Sequence, residues 1–225
     1  MLPMVAALFA ALTVAVPSPQ PAADAGPIRT VVYNISLQRS NMAYVERYND
    51  FQRLRALMTD AGTATVDVMV RTPAALGIRV TEITRQRGYP AIFTGNVAAD
   101  GSVGFPEESI NEATWTLLRF FGERLVADKA LNPGDTWKTP GGEIAVRTVQ
   151  GRRVTLEITE SFKIPSSMSE LFVRGTIIYE PGLLVPISGD VMRKRVESHP
   201  EGTIELIETV RFERTSDSFD KPVPF

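Results

Sequence analysis

The sequence predicts an α+β fold, in which a long antiparallel, curved, half-barrel-like sheet carries two amphipathic helices packed on it. Segments in which apolar and polar residues alternate recur about every 10 residues between positions 28 and 212, as in a meander of strands. Two stretches, residues 40–60 and 109–126, instead repeat apolar residues every three to four positions, which is the spacing of an amphipathic helix. Two helices inserted among strands place the fold in the α+β class.

Residues 1–25 have the layout of a signal peptide. A continuous apolar stretch from Val5 to Val16 is followed by prolines and then by the small residues Ala23-Asp24-Ala25. This stretch is shorter than the roughly 20 residues that cross a bilayer. We expect export to the periplasm or the medium, with cleavage after Ala25 or Ala23. No Lys or Arg precedes the apolar stretch, so an N-terminal core helix with a proline-rich linker is the alternative.

The remaining chain has the length of one domain, predicted over residues 26–215 with a frayed tail at 216–225. The formal net charge is −2, and it becomes −1 when Asp24 is removed with the leader. Such a balance argues against nucleic acid, which needs a basic surface. The absence of Cys excludes disulfides, thiol catalysis, cysteine zinc sites and a lipidated cysteine. We therefore expect no stable membrane anchor after cleavage.

The elements follow from local patterns. Residues 28–38 alternate as a half-buried strand, and the helix predicted over 40–60 ends at Gly62. A hairpin is predicted from residues 63–71 and 76–85, and another across Asp100-Gly101. Ser109 and Glu112 have capping-box spacing for the second helix. Further hairpins are predicted around Gly151, residues 180–182 and residues 199–202, with a bulge near residues 186–189.

Candidate catalytic residues are few. The single His199 lies in a predicted turn, and no serine lies in a nucleophile elbow. Asp60-Ala61-Gly62 differs from the aspartic protease signature and is explained by a helix end, and Glu112 is explained as a helix-start acid. Arg193 and Arg195 share one strand face, where they are expected to protect an exposed edge. The sequence predicts no catalytic residue, metal ligand or cofactor site, although it leaves a carboxylate enzyme open.

The C-terminal half resembles uncharacterised secreted bacterial β-rich proteins. The resemblance covers about 90 residues and rests on turn and core positions at residues 133–137, 175–179, 186–190 and 209–213, where a Gly-Asp-x-Trp strand precedes antiparallel hairpins and a Gly-x-Ile-x-Tyr strand. These proteins have no assigned activity. The resemblance implies a sheet similar to the curved half-barrel of periplasmic lipoprotein carriers and lipid-binding envelope proteins.

Two functions follow as hypotheses. The first is a non-catalytic binding module of the envelope, in which Tyr33, Trp115, Leu118 and Phe121 line an apolar cavity for a small apolar molecule or lipid. An ordinary filled core explains the same residues. The second is a structural or protein-interaction domain of the cell envelope that meets another envelope protein through strand edges or a charged face.

Overall fold

The structure is a computed structural model that describes residues 26–47, 50–98, 101–105, 110–122, 131–139, 141–164, 169–180, 185–199 and 202–220. The predicted signal peptide lies outside these residues. The described chain forms one helix, α1 (Glu112–Leu118), a 3-10 turn at Ser218–Asp220, and eleven strands. The strands are β1 (Arg29–Arg47), β2 (Asp50–Arg71), β3 (Ala75–Thr84), β4 (Ala91–Ala98), β5 (Val103–Gly104), β6 (Thr136–Thr139), β7 (Gly142–Gln150), β8 (Arg153–Ile164), β9 (Ser169–Tyr179), β10 (Pro186–His199) and β11 (Gly202–Asp217).

All eleven strands belong to a single antiparallel sheet with the order β5-β4-β3-β2-β1-β11-β10-β9-β8-β7-β6. Each half is a meander, and the pairing of β1 with β11 joins the two halves. The prediction of a long antiparallel sheet is therefore confirmed. The predicted hairpins pair β2 with β3, β4 with β5, β7 with β8 and β10 with β11, and the expected bulge occurs between Pro186 and Ser188.

The helix predicted over residues 40–60 is wrong. These residues form the paired ends of β1 and β2, whose register runs without a break from Arg47↔Asp50 to Arg29↔Val68. Of the residues that gave the helical spacing, 44 lies on β1 and 51, 54 and 58 lie on β2, while residue 48 lies outside the described residues. Cross-strand backbone pairing, with β11 on the other side of β1, decided the local structure here.

Helix α1 is shorter than the predicted helix over 109–126. It begins at Glu112, and its N-cap is Asn111, whose side chain accepts a hydrogen bond from the Ala113 amide at 2.8 Å. The predicted cap Ser109 and residues 123–126 lie outside the described residues. Glu112 does not act as the third residue of a capping box, because it is the first residue of the helix.

One face of the sheet, here called the inner face, is apolar and buried. Its side chains come from every second residue of the strands, and α1 packs against it with Leu117 and Leu118. Phe120 and Phe121, which follow the helix, are also buried. The resulting core is one connected cluster that extends from Val97 in β4 to Ile144 in β7.

The opposite face, the outer face, is polar and carries cross-strand ion pairs. Asp67 accepts hydrogen bonds from Arg79 at 2.7 and 3.1 Å, and Asp190 accepts one from Arg211 at 2.8 Å. Pairs of this kind suit a sheet surface in contact with water, where each contributes little to stability.

The first strand and the last strand are joined by a buried ion pair. Arg29, at the start of β1, donates two hydrogen bonds to Asp217, at the end of β11, at 3.0 and 2.5 Å. Arg214 and the backbone amide of Phe219 donate to the same carboxylate, and the Phe219 ring lies 4.5 Å from the Arg29 guanidinium. The described chain continues past the predicted domain end at residue 215, through β11 to Asp217 and the 3-10 turn to Asp220. Residues 221–225 lie outside the described part, and the domain and tail bounds stay predictions.

Replacing Asp217 with Asn tests this pair. Burial raises the pKa of Asp217, but hydrogen bonds from Arg29 and Phe219 outweigh it, so the pKa lies below its ordinary value. The stabilisation is therefore present above about pH 4 and is lost as pH falls through the native pKa. We expect Asp217→Asn to lower the free energy of unfolding by about 3 kcal/mol at pH 7, with a smaller difference in acid.

The matched control is Asp190→Asn, which removes a carboxylate from an exposed Arg pair. We expect a change below about 0.5 kcal/mol in denaturant unfolding at pH 7. Equal effects of the two substitutions would contradict the importance of the buried pair.

Candidate functional site

A row of buried and half-buried charged residues crosses the inner face where the apolar core ends. In each contributing strand the charged residue lies two positions beyond a buried or half-buried residue of the inner face, so it shares that face. The register places Arg39, Glu208 and Arg193 side by side on β1, β11 and β10. We call this set the charged row, and its members are Glu82, Asp60, Arg39, Glu208, Arg193 and Glu160.

Arg193 connects the middle of the charged row to α1. Its Nη1 donates to Glu112 Oε2 at 2.5 Å and to Thr116 Oγ1 at 3.1 Å, and it lies 3.6 Å from Glu208 Oε2. Glu208 also accepts a 2.7 Å hydrogen bond from Arg39. Arg193 is only 3% exposed, so its guanidinium is largely removed from water, where loss of a partner is costly, whereas the Glu112 side chain is 39% exposed.

The start of α1 is fixed by two carboxylates of the charged row. The Asn111 side chain donates to Asp60 Oδ2 at 2.9 Å, and its backbone amide donates to both oxygens of Glu82 at 3.2 Å. Arg87 donates to Glu82 at 2.7 Å. Burial raises the pKa of Glu82 above its usual range, although the hydrogen bonds and the Arg87 charge act in the opposite direction.

Arg119, the residue after α1, contacts β8 in the C-terminal half of the sheet. Arg119 Nη2 lies 3.4 Å from Glu160 Oε2, while the Thr139 hydroxyl donates to Glu160 Oε1 at 2.9 Å. Burial, and then the positive charge of Arg193, lower the pKa of Arg119 to about 10. Both guanidinium groups lie over the Trp115 ring, that of Arg119 at 5.2 Å and that of Arg193 at 5.1 Å from the ring centroid.

A pocket of about 460 Å³ lies where the start of α1 meets β2 and β3. Its wall contains both signs of charge beside apolar side chains, and its carboxylates already accept hydrogen bonds from the protein. A second concavity, of about 470 Å³, lies on the outer face across β9, β10, β11 and β1. The first pocket is lined by Leu37, Arg39, Met58, Asp60, Glu82, Thr84, Gln86, Arg87, Tyr89, Ile110, Asn111 and Glu112.

The structure places the four predicted ligand residues in two environments. Tyr33, Leu118 and Phe121 are 0% exposed in the core, where the rings of Tyr33 and Phe121 lie 5.9 Å apart. The Tyr33 hydroxyl donates to the Pro186 carbonyl at 2.7 Å, and burial raises the pKa of this tyrosine well above 10. Trp115 is half-buried at the charged row. Contact of these residues with a ligand stays a prediction.

The sequence interpretation missed the charged row. Asp60 was assigned to a turn after a helix, but it is buried in β2, and Gly62 beside it lets the Ile83 carbonyl approach where a Cβ would collide. Arg193 was assigned to an exposed edge, but β10 lies inside the sheet between β9 and β11. The available signal was the alternation of side chains along a strand, since Arg193 follows the buried Val191 by two residues and so lies on the same face.

Within the described residues, the side chains form no cluster suited to a metal ion. No described helix has the length and hydropathy needed to cross a membrane. The contacts of Asp60, Glu82 and Arg193 with Asn111, Glu112 and Thr116 assign these charged groups to holding α1 on the sheet.

Comparisons with known proteins give weak likenesses. No protein-family model matches the chain, and no curated protein matches it. Among solved structures, it is similar at 10% identity to lipovitellin, from a study of lipid–protein interactions, with a TM-score of 0.48 over 88% of this chain and 26% of that chain. This chain thus spans about a quarter of the length of that one.

It is also similar at 6% identity to Ail, the attachment invasion locus protein of Yersinia pestis, with a TM-score of 0.23 over 83% of this chain and 97% of that chain. Because neither TM-score reaches 0.5, neither likeness carries an argument about function.

Arg193→Met tests whether the charged row holds α1. Removing the guanidinium leaves Glu112 without its described cation and removes one of the two beside Glu208, so we expect a loss of about 3 kcal/mol in the free energy of unfolding. Hydrogen exchange in α1 should accelerate. Arg211→Met, on the outer face, is the control and should leave exchange in α1 unchanged. Equal exchange of α1 in both variants would contradict the assignment.

Glu82→Gln tests the buried carboxylate through pH. Because the native pKa of Glu82 is raised, the folded chain binds more protons than the unfolded chain between the unfolded value near pH 4.3 and the native pKa. The wild type therefore loses stability relative to Glu82→Gln as pH rises through this window. Urea unfolding of both proteins from about pH 4 to pH 7 measures the difference. Parallel stability curves would show that Glu82 titrates normally.

Proposed function

We propose that this chain is an exported, non-catalytic binding protein of the cell envelope that holds an apolar or lipid-like ligand on the inner face of its sheet. The single observation that carries the proposal is the mismatch between a broad apolar face and the short helix that covers it.

The sheet is much wider than α1 is long. Eleven strands laid flat would span about 48 Å, whereas the seven residues of α1 extend only about 10 Å. Side chains on β4 and β7 nevertheless belong to one buried cluster. We infer that the sheet curves around its inner face, which is the shape that the resemblance to lipoprotein carriers implies. A curved sheet of this kind can hold a ligand between its two halves.

The inner face also continues beyond the charged row. Leu206 lies two residues past Glu208 on β11, and Ile204 two residues further is 40% exposed. Leu171 occupies the inner face on β9 at the same level as Leu206, because both pair with Arg195. The described contacts of α1 end at the charged row. Arg195 lies on the same face between these two leucines, 3.8 Å from Glu197. This extension therefore offers apolar side chains beside an ion pair, and the helix does not cover it.

The four predicted ligand residues differ in how easily a ligand can reach them. Tyr33, Leu118 and Phe121 lie in a filled core, so a ligand would have to displace other side chains to reach them. Trp115 is half-buried at the boundary between the core and the extension. We propose that a ligand on the extension meets Trp115 first.

A protein-interaction role in the envelope is the second candidate. It is favoured by Phe172 and Met192, large apolar side chains that are 39% and 43% exposed on adjacent strands β9 and β10. Exposed apolar side chains that lie together can mark a contact surface.

Leu206→Asp tests the ligand-binding proposal. It places a charge on the inner-face extension, whereas Ile207→Asp places the same charge on the outer face of the same strand, and both side chains are half-buried in the wild type. With the uncharged fluorescent probe N-phenyl-1-naphthylamine, we expect Leu206→Asp to weaken binding about tenfold. Ile207→Asp should retain wild-type affinity.

Circular dichroism and thermal unfolding of both variants establish that each is folded, and Leu206→Asn provides a milder change at the same site. A ligand site on the inner face would be contradicted if the wild type did not bind the probe. It would also be contradicted if both Asp variants weakened binding equally.

A further inference from the structure

The two edges of the sheet differ in how they are protected. At one edge, β6 has four residues, and Lys138 on it is paired with Glu143 at 2.6 Å. At the other edge, β5 has only two residues, which pair with Asn96 and Val97 near the end of β4. Within the described part of the chain, residues 91–94 of β4 therefore have a strand neighbour on one side only, namely β3.

Residues 91–94 lack the features that usually protect a strand edge. Charged side chains, proline and bulges all discourage pairing with another chain. The whole of β4, Ala-Ile-Phe-Thr-Gly-Asn-Val-Ala, contains no charged residue and no proline, and its register with β3 has no shift. The Gly95 backbone lies close to the Gly104 carbonyl, so the edge is covered from that residue onward.

The outer side chains beside this edge are apolar and exposed. Ile92 on β4 is 64% exposed, Ile83 on the neighbouring strand is 45% exposed, and Tyr89 just before β4 is 63% exposed. Phe93, on the inner side of β4, is 6% exposed and lies 5.2 Å from the Arg87 guanidinium, so the strand itself is anchored to the core. An anchored strand whose own edge carries no charge or proline is a rigid template for strand addition, and residues 106–109, which follow β5 along the chain, lie outside the described residues.

We propose that residues 91–94 accept an extended segment of a partner polypeptide as an added strand. The backbone donors and acceptors of a strand edge are complementary to another extended backbone, which defines the chemistry of the partner. Alternate apolar side chains of the partner would pack on Ile92, and no charge in the partner is required.

A peptide segment fits this edge better than a second copy of the chain. A stable homodimer buries about 800 Å² on each partner. Four backbone residues and three partly exposed side chains offer much less area. A short strand, by contrast, needs only the backbone edge and one or two side-chain contacts.

The test uses a fluorescein-labelled peptide, Lys-Thr-Val-Thr-Val-Thr-Val-Lys, with the full chain. We expect saturable binding by fluorescence anisotropy below about 1 mM peptide, and slower hydrogen exchange at residues 91–94 but not at β6. A peptide with Pro in place of its two central residues should not bind. Ile92→Lys should weaken binding about tenfold because it places a charge beside the edge.

Ile207→Lys is the matched control, since it introduces the same charge on the outer face of the interior strand β11, and it should bind like the wild type. No binding, protection at another site, or equal weakening by both Lys variants would overturn the proposal. So would a dimer in sedimentation equilibrium that Ile92→Lys dissociates, because the occupant would then be a second copy.

Discussion

A single sheet has to remove one broad apolar face from water, and the described chain supplies one helix of seven residues to cover it. The other features follow from this constraint. Buried apolar side chains at every second position continue into outer strands β4 and β7, so the sheet itself must supply much of the cover. The central position of β1 and β11, both long strands, joins the two halves of the meander around this face. The free energy of burial along this face is the main contribution to stability.

The core is closed at both ends by buried ions. At one end, Arg29 and Asp217 connect the first strand to the last. At the other, the charged row connects β3, β2, β1, β11, β10 and β8 to α1 through Asn111, Glu112 and Arg119. Burying ions costs free energy that partners recover only with good geometry. Their value lies in position, because an apolar sheet face would allow a short helix several placements and the ion pairs favour one.

Local turn chemistry allowed the hairpins to be predicted. Gly101 and Gly151 have positive φ angles of 80° and 60° at hairpin turns, which the sequence showed as glycines between alternating segments. The helix predicted over residues 40–60 failed because residues with helical apolar spacing form long strands, β1 and β2, that pair with each other along the whole length of β1. Only contact with β11, distant in sequence, distinguishes these cases.

The candidate site was harder to predict because its members are far apart in sequence. Each charge, taken alone, has an ordinary explanation as a cap, a turn residue or an edge residue. However, Glu82, Glu160 and Glu208 each lie two positions from a buried apolar residue of the same strand. This shared spacing indicates a row on the inner face once the strands are paired. Register, which depends on tertiary pairing, was the missing information.

The most direct test of the account is native mass spectrometry of the protein purified from an envelope fraction without detergent. The proposed function predicts a chain that has lost its leader and that retains an apolar small molecule, which extraction with organic solvent removes and identifies. A chain of the mature mass with no bound molecule, whose inner face takes up no lipid from vesicles, would contradict a ligand-binding role.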